Sequence, residues 1–214
     1  MTTIYLKQME LGPMQNFVYL IGCPRTKEAA VVDPAWNVPA ILSAAEKDGM
    51  KIKHALVTHQ HFDHINGVDK IVEATDALVH VNKNELPYVP FKGAHVKGRE
   101  SGDELKIGDI TIQFMHTPGH TPGSQCFYVQ NHLVSGDTLF INACGRTDLP
   151  GGDPEQMYWS LNHRIKKLSD NVVLFPGHNY ADVPTATLGE QKKKNPFMMC
   201  ETLQDFLTRS LSGY

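Results

Sequence analysis

Seven consecutive residues, Thr58-His59-Gln60-His61-Phe62-Asp63-His64, hold three imidazoles and a carboxylate. Imidazole nitrogen and carboxylate oxygen are first-choice ligands for zinc and other borderline divalent ions. A core rejects such a cluster, because each histidine taken out of water needs a partner. The remaining alternative is a solvated histidine-rich loop, and clustered metal-capable groups favour the metal site over it. Three further segments carry the same signal: Thr117-Pro118-Gly119-His120-Thr121-Pro122-Gly123-Ser124, Ser135-Gly136-Asp137-Thr138 and Pro176-Gly177-His178-Asn179-Tyr180. Each sets one metal-capable side chain in a turn with glycine, which lets the backbone bend sharply and approach a ligand closely.

The flanking pattern places all four segments at the C-terminal ends of strands, where open sheets position their chemistry. Ala55-Leu56-Val57 reads as a short buried strand before the histidine cluster. The other three segments follow strands ending at Met115, Val134 and Phe175. Strands are also expected over Ile4 to Glu10, Asn16 to Ile21, Ala29 to Asp33, Ala77 to Val81, Glu104 to Ile107 and Gln125 to Val129. Helices are expected over Asn37 to Lys47, closed by Gly49, over Ile65 to Thr75, over Glu155 to Leu168, and in two C-terminal segments. Alternating strand and helix argues α/β. Runs of strands in both halves, each with its own helices, suggest two packed sheets with helices outside. Residues 82–103 are polar and lack period. A loop of that length is uncommon in a compact domain and often functional, so it is expected to form part of a substrate-pocket wall.

At 214 residues the chain reads as a single domain spanning 1–214, long enough to bury one core. Its net charge of −3, without a basic block, argues against nucleic acid or an anionic membrane as partner. No signal peptide and no membrane span is legible. The four cysteines, Cys23, Cys126, Cys144 and Cys200, form no CxxC pair and are expected as free thiols of a cytoplasmic protein.

In combination, the HxHxDH motif at 59–64, the histidine in TPGHTPGS, the aspartate in SGDTLF and the histidine in PGHNY resemble the metallo-β-lactamase superfamily. The resemblance implies an αββα sandwich with a two-metal site on one edge. It implies that His59, His61 and His120 hold the first ion and that Asp63, His64 and His178 hold the second. Asp137 would bridge them, with Asp63 and Asp137 as the catalytic carboxylates. Zinc suits this ligand set, as do iron and manganese. Two dications ~3.5–4 Å apart lower the pKa of a bridging water toward ~7, so the expected reaction is hydroxide attack on a polarised carbonyl or phosphoryl centre.

Within the superfamily, GDTLF, CGRTDLPGGD and PGHNY followed by Asn195-Pro196-Phe197 resemble the glyoxalase II group. That group hydrolyses S-acyl-glutathione thioesters, so the expected partner is a small-molecule thioester. Typical members carry a C-terminal helical domain that grips glutathione, for which a chain ending at Tyr214 leaves no room. The resemblance is therefore to the short glyoxalase II-like hydrolases, with another ester or lactone as an alternative substrate. CGRTD is similar also to the persulfide dioxygenases, which use one iron. Arg146 and Tyr180 are candidate substrate contacts. The plainer expectations are an ion pair from Arg146 to Asp148, and packing for Tyr180 and Cys144. His116 is expected in packing or support, and His54, His80, His95, His132 and His163 as surface or hydrogen-bonded residues. Lys192-Lys193-Lys194 reads as a solvated helix face.

Overall fold

β2 (Asn16–Cys23), an eight-residue run with every side chain buried, sets the layer order. A strand buried on both faces must lie between two apolar layers. Val18 and Leu20 point to one, where they meet Val31, Ile41, Val68 and Ile71. Phe17, Tyr19 and Ile21 point to the other, where they meet Ile112, Phe114, Phe127 and Val134. The computed structural model describes residues 3–211.

The first sheet runs β1 (Tyr5–Leu11), β2, β3 (Glu28–Val32), β4 (Lys51–Leu56), β5 (Leu78–Asn82) and β6 (Val96–Arg99), in chain order. β1 to β3 pair antiparallel, and β3 to β6 pair parallel. The second sheet draws on β7 (Glu104–Ile107), β8 (Ile110–His116), β9 (Gln125–Val129), β10 (His132–Gly136), β13 (Val173–Pro176) and β14 (Ala186–Thr187), ordered β14-β13-β10-β9-β8-β7. β11 (Leu139–Phe140) and β12 (Ala143–Cys144) form a separate two-stranded ribbon. α1 (Val38–Lys47) and α3 (Val68–Thr75) cover the first sheet, with α2 (Phe62–Ile65) between them in sequence. α4 (Pro154–His163), α5 (Leu188–Lys194) and α6 (Leu203–Leu211) supply Met157, Leu161, Leu188 and Phe206 to the layer outside the second sheet. The result is the expected α/β sandwich of two mixed sheets with helices on the outer faces. No helix among the described residues is long and apolar enough to cross a membrane.

Several boundaries depart from expectation. Residues 82–103 are not one irregular loop: Val96 to Arg99 pair with Val79 to Asn82, and the open edge of β5 recruits a segment whose own pattern is weak. Val89 and Phe91 also bury into the first core. The helix expected over Ile65 to Thr75 breaks at Asn66-Gly67, where Gly67 N–H donates to Pro34 O at 3.0 Å and Asn66 Oδ1 accepts from Trp36 N–H at 2.6 Å. A Cβ on Gly67 would stand 2.6 Å from that carbonyl oxygen. The helix expected over Glu155 to Leu168 ends at His163, and Ile165 to Lys167 form a 3₁₀ turn. Lys193 and Lys194 are exposed as expected, whereas Lys192 is half-buried and its ammonium donates to Leu168 O and Asp170 Oδ1, each at 2.6 Å. All four cysteines are free and buried, as expected.

Candidate metal centre

Four loops meet where the two sheets approach each other at one edge. Phe17 N–H donates to Gly177 O at 2.8 Å, Gln125 N–H to Thr58 O at 3.0 Å and Gly177 N–H to Gly136 O at 2.9 Å. These bonds tie the ends of β4, β10 and β13 to one another and to the starts of β2 and β9. Glycine is required at 177, because a Cβ there would overlap the carboxylate of Asp137. The histidine motif divides its side chains by a change of backbone. His61 is extended (φ −61°, ψ 141°), so 59 and 61 point the same way. α2 begins at the next residue and turns Asp63 and His64 toward a second point.

At the first point, His61 Nδ1 lies 3.1 Å from His59 Nε2 and 2.9 Å from His120 Nε2. The tautomers follow from the outer partners. His120 Nδ1 lies 2.7 Å from the carbonyl oxygen of Arg146, which only accepts, so His120 Nε2 is bare. Thr58 donates its hydroxyl proton to Asp33 and therefore accepts from His59 Nδ1 at 3.0 Å, so His59 Nε2 is bare too. At least two lone pairs are thus aimed at one spot, at His61 Nδ1. Burial pushes His59 well below the usual imidazole range. Burial, with the neighbouring His120, takes His61 down to about 4.

The second point repeats the logic. His178 Nδ1 donates to Met14 O at 2.8 Å, and His64 Nδ1 donates to Asp33 Oδ2 at 2.9 Å. Their Nε2 atoms face each other at 3.2 Å, with Asp63 Oδ2 at 3.3 and 3.4 Å from them. Asp137 stands between the two points. Its Oδ1 is 3.4 Å from His64 Nε2, and its Oδ2 is 3.3 Å from His178 Nε2 and 3.6 Å from His120 Nε2. Asp137 Oδ1 is buried without a hydrogen-bond partner. Burial disfavours a charge on His64, yet Asp137, Asp33 and Asp63 hold its pKa well above the usual value. The second point therefore demands positive charge, as a proton or a metal ion. The donor set His59, His61, His120 and the set Asp63, His64, His178 each bring their ligand atoms within 4.8 Å of one another. Bare nitrogens, an orphaned carboxylate oxygen and a demand for positive charge all fit a bound dication.

Residues outside the motifs hold these groups. Asp33, at the end of β3, accepts from Thr58 N–H at 2.7 Å and Thr58 Oγ1 at 2.6 Å besides His64. Asn16 donates to Asp63 Oδ2 at 2.8 Å, and its own oxygen accepts from the Trp36 indole at 2.8 Å. Glu85 is buried, and its Oε1 accepts from Thr121 Oγ1 at 2.5 Å and Gly123 N–H at 2.6 Å, which braces the turn carrying His120. Sequence reasoning missed all of them. The available signal was a charged side chain ending the apolar run Ala29 to Val32. His116 contributes as expected, bonding Pro122 O at 2.9 Å across the same turn.

A cavity of about 810 Å³ opens over the two points. Arg146 and Tyr180 both line it. Arg146 pairs with Asp148 at 2.9 and 2.8 Å on the surface, and its carbonyl holds His120. Tyr180 stacks on the His178 ring at 4.6 Å, 7° from parallel. Residues 82–103 do not line the cavity, which corrects their expected role: the segment packs on the first core and braces the His120 turn through Glu85.

This architecture, two mixed sheets whose facing strand ends converge histidines and aspartates, defines a metallo-hydrolase-type fold. The sequence profile of the Metallo-beta-lactamase superfamily matches residues 11–178, and the chain belongs to that superfamily. A probable hydroxyacylglutathione hydrolase, glo2, of Schizosaccharomyces pombe is 32% identical over 87% of this chain and 84% of its own length. The crystal structure of ETHE1 from Myxococcus xanthus superposes with a TM-score of 0.89 at 28% identity, covering 97% of this chain and 90% of that one. TTHA1623, solved in a di-iron-bound form, superposes with a TM-score of 0.78 at 32% identity, covering 89% and 99%.

Proposed function

We propose that this protein is a binuclear metal-dependent hydrolase of thioesters, of the glyoxalase II type. His59, His61 and His120 hold one ion, Asp63, His64 and His178 the other, and Asp137 bridges. The observation that carries the proposal is the pairing of two donor sets around one carboxylate, Asp137, whose Oδ1 has no other partner. Bound dications would supply a water acidified toward ~7 and an electrophile for the substrate carbonyl. The chain's own residues do the rest. Asp33, Met14 O and Arg146 O keep the ligand nitrogens bare by accepting from the opposite ring nitrogens. Asn16 fixes the Asp63 carboxylate, and the cavity orients the substrate over both points. The name of the Schizosaccharomyces relative supports the thioester, and the di-iron structure supports two ions. Zinc suits the donor set, as do iron and manganese.

A persulfide dioxygenase is the second reading, favoured by the ETHE1 likeness. The di-iron-bound form of TTHA1623 favours two ions, and with them the hydrolase. The test offers S-lactoylglutathione and glutathione persulfide to one preparation of known metal content. Thiol release without oxygen uptake, from protein with two ions per chain, is expected. Oxygen uptake with the persulfide alone, from protein with one iron, would overturn the proposal.

A further inference from the structure

Phe62 lies between His61 and Asp63 in sequence, yet its ring is 70% exposed and forms part of the cavity wall. A large apolar side chain left in water next to a reactive centre is a candidate contact for something apolar. It is not isolated. Met14, 45% exposed, shares the wall, and Trp36 meets the Phe62 ring edge-on at 6.1 Å and supports it. Phe140, Leu149, Pro150 and Tyr180 also line the cavity, with Phe140 and Tyr180 in edge contact at 5.6 Å. Among the described residues, the cation of the lining other than the histidines is Arg146, and Asp148 already meets its charge with two hydrogen bonds. An arm bearing two carboxylates would find little to hold it there. An aliphatic arm would bury its methylenes against these aromatic and aliphatic side chains.

In a biological thioester, the thiol arm carries the amides and charges and the acyl arm carries the methylenes. We propose that the cavity selects thioesters with an aliphatic acyl chain, that Phe62 is a main determinant of that selection, and that the thiol arm is held only loosely. This rests on the thioesterase assignment above and names its substrate class. Each methylene that enters the cavity should tighten binding about three- to fourfold until the space is filled.

The test uses zinc-loaded protein and calorimetric titration with S-methyl, S-butyl and S-hexyl thioethers of N-acetylcysteamine, which cannot be hydrolysed. Affinity is expected to rise with chain length. S-hexylglutathione is expected to bind within about tenfold of S-hexyl-N-acetylcysteamine, roughly 1.4 kcal/mol. Phe62→Ser, at an exposed position, should flatten the length dependence while metal content and circular dichroism match the parent. Equal affinity along the series, or a more than hundredfold preference for the glutathione arm, would overturn the proposal. An unchanged slope in Phe62→Ser would remove Phe62 from it. Hydrolysis of acetyl and hexanoyl N-acetylcysteamine separates this inference from its foundation. A binding slope with no hydrolysis of any thioester refutes the thioesterase assignment and leaves an apolar-arm site. Hydrolysis with no slope refutes the inference alone.

Discussion

Asp33 Oδ2 lies 2.9 Å from Nδ1 of His64, and both side chains are buried. The contact fixes the imidazole with its proton on Nδ1 and leaves Nε2 directed at Asp63, His178 and Asp137. A carboxylate behind a histidine in this way orients the ring and raises its basicity. Asp33→Ala should therefore weaken the second ion directly, by about 10- to 100-fold, and the first ion less, through Thr58 and His59. Metal titration followed by dialysis checks this: greater loss of the second ion than of the first is expected, and unchanged content of both would show that Asp33 does not orient the ligands.

Asp137 is expected to matter to both ions. Its two oxygens reach His64, His120 and His178, which belong to both donor sets. Asp137→Ala should lower metal content and turnover together, by about a hundredfold or more in turnover if the bridging carboxylate no longer offsets the repulsion of two dications. A variant with two ions per chain and near-parental turnover would refute the bridging role.

Glu85 braces the His120 turn through Thr121 and Gly123. Its Oε1 accepts in both contacts, a role the amide oxygen of glutamine can also fill. Glu85→Gln is expected to keep most of the metal content. Glu85→Ala leaves the buried Gly123 N–H unpaired, at about 1–3 kcal/mol, and leaves the Thr121 hydroxyl with Ser124 alone. It should lower the melting temperature and the occupancy of the first ion. Indistinguishable Gln and Ala variants would show that the contact is dispensable.

Away from the metal centre, His80 titrates against the fold. Arg99 Nε donates to its Nδ1 at 3.0 Å, and its Nε2 donates to His54 Nδ1, also at 3.0 Å. Burial, reinforced by Arg99, lowers its pKa from 6.5 to about 3. Between those values the unfolded chain binds a proton that the folded chain refuses. Stability is therefore flat above about 6.5 and falls as pH drops toward about 3, by an amount on the order of a few kcal/mol from this residue. Thermal melts across that window should show a shallower slope for His80→Gln than for the parent. Equal slopes would place the pH sensitivity elsewhere.

The loops that carry the candidate ligands were legible because metal chemistry restricts side-chain type. Few residues other than histidine and aspartate serve, and glycine must stand where Gly177 faces Asp137. The same restriction makes the α/β alternation and the four strand ends readable from local pattern. The supporting residues were not legible. Asp33, Asn16 and Glu85 act on residues 31, 47 and 36 positions away, through single hydrogen bonds that leave no local spacing. β6 was hidden for a related reason: Val96 to Arg99 become a strand because β5 offers them an open edge, not because of their own alternation. Phe62 shows the division most sharply. Its place inside the histidine motif was written in the sequence, but its exposure to the cavity was decided by α2, which begins at that residue and turns Asp63 and His64 inward to the centre. Side-chain chemistry is local and can be read locally, whereas which groups meet across two sheets depends on a register that only the packed chain establishes.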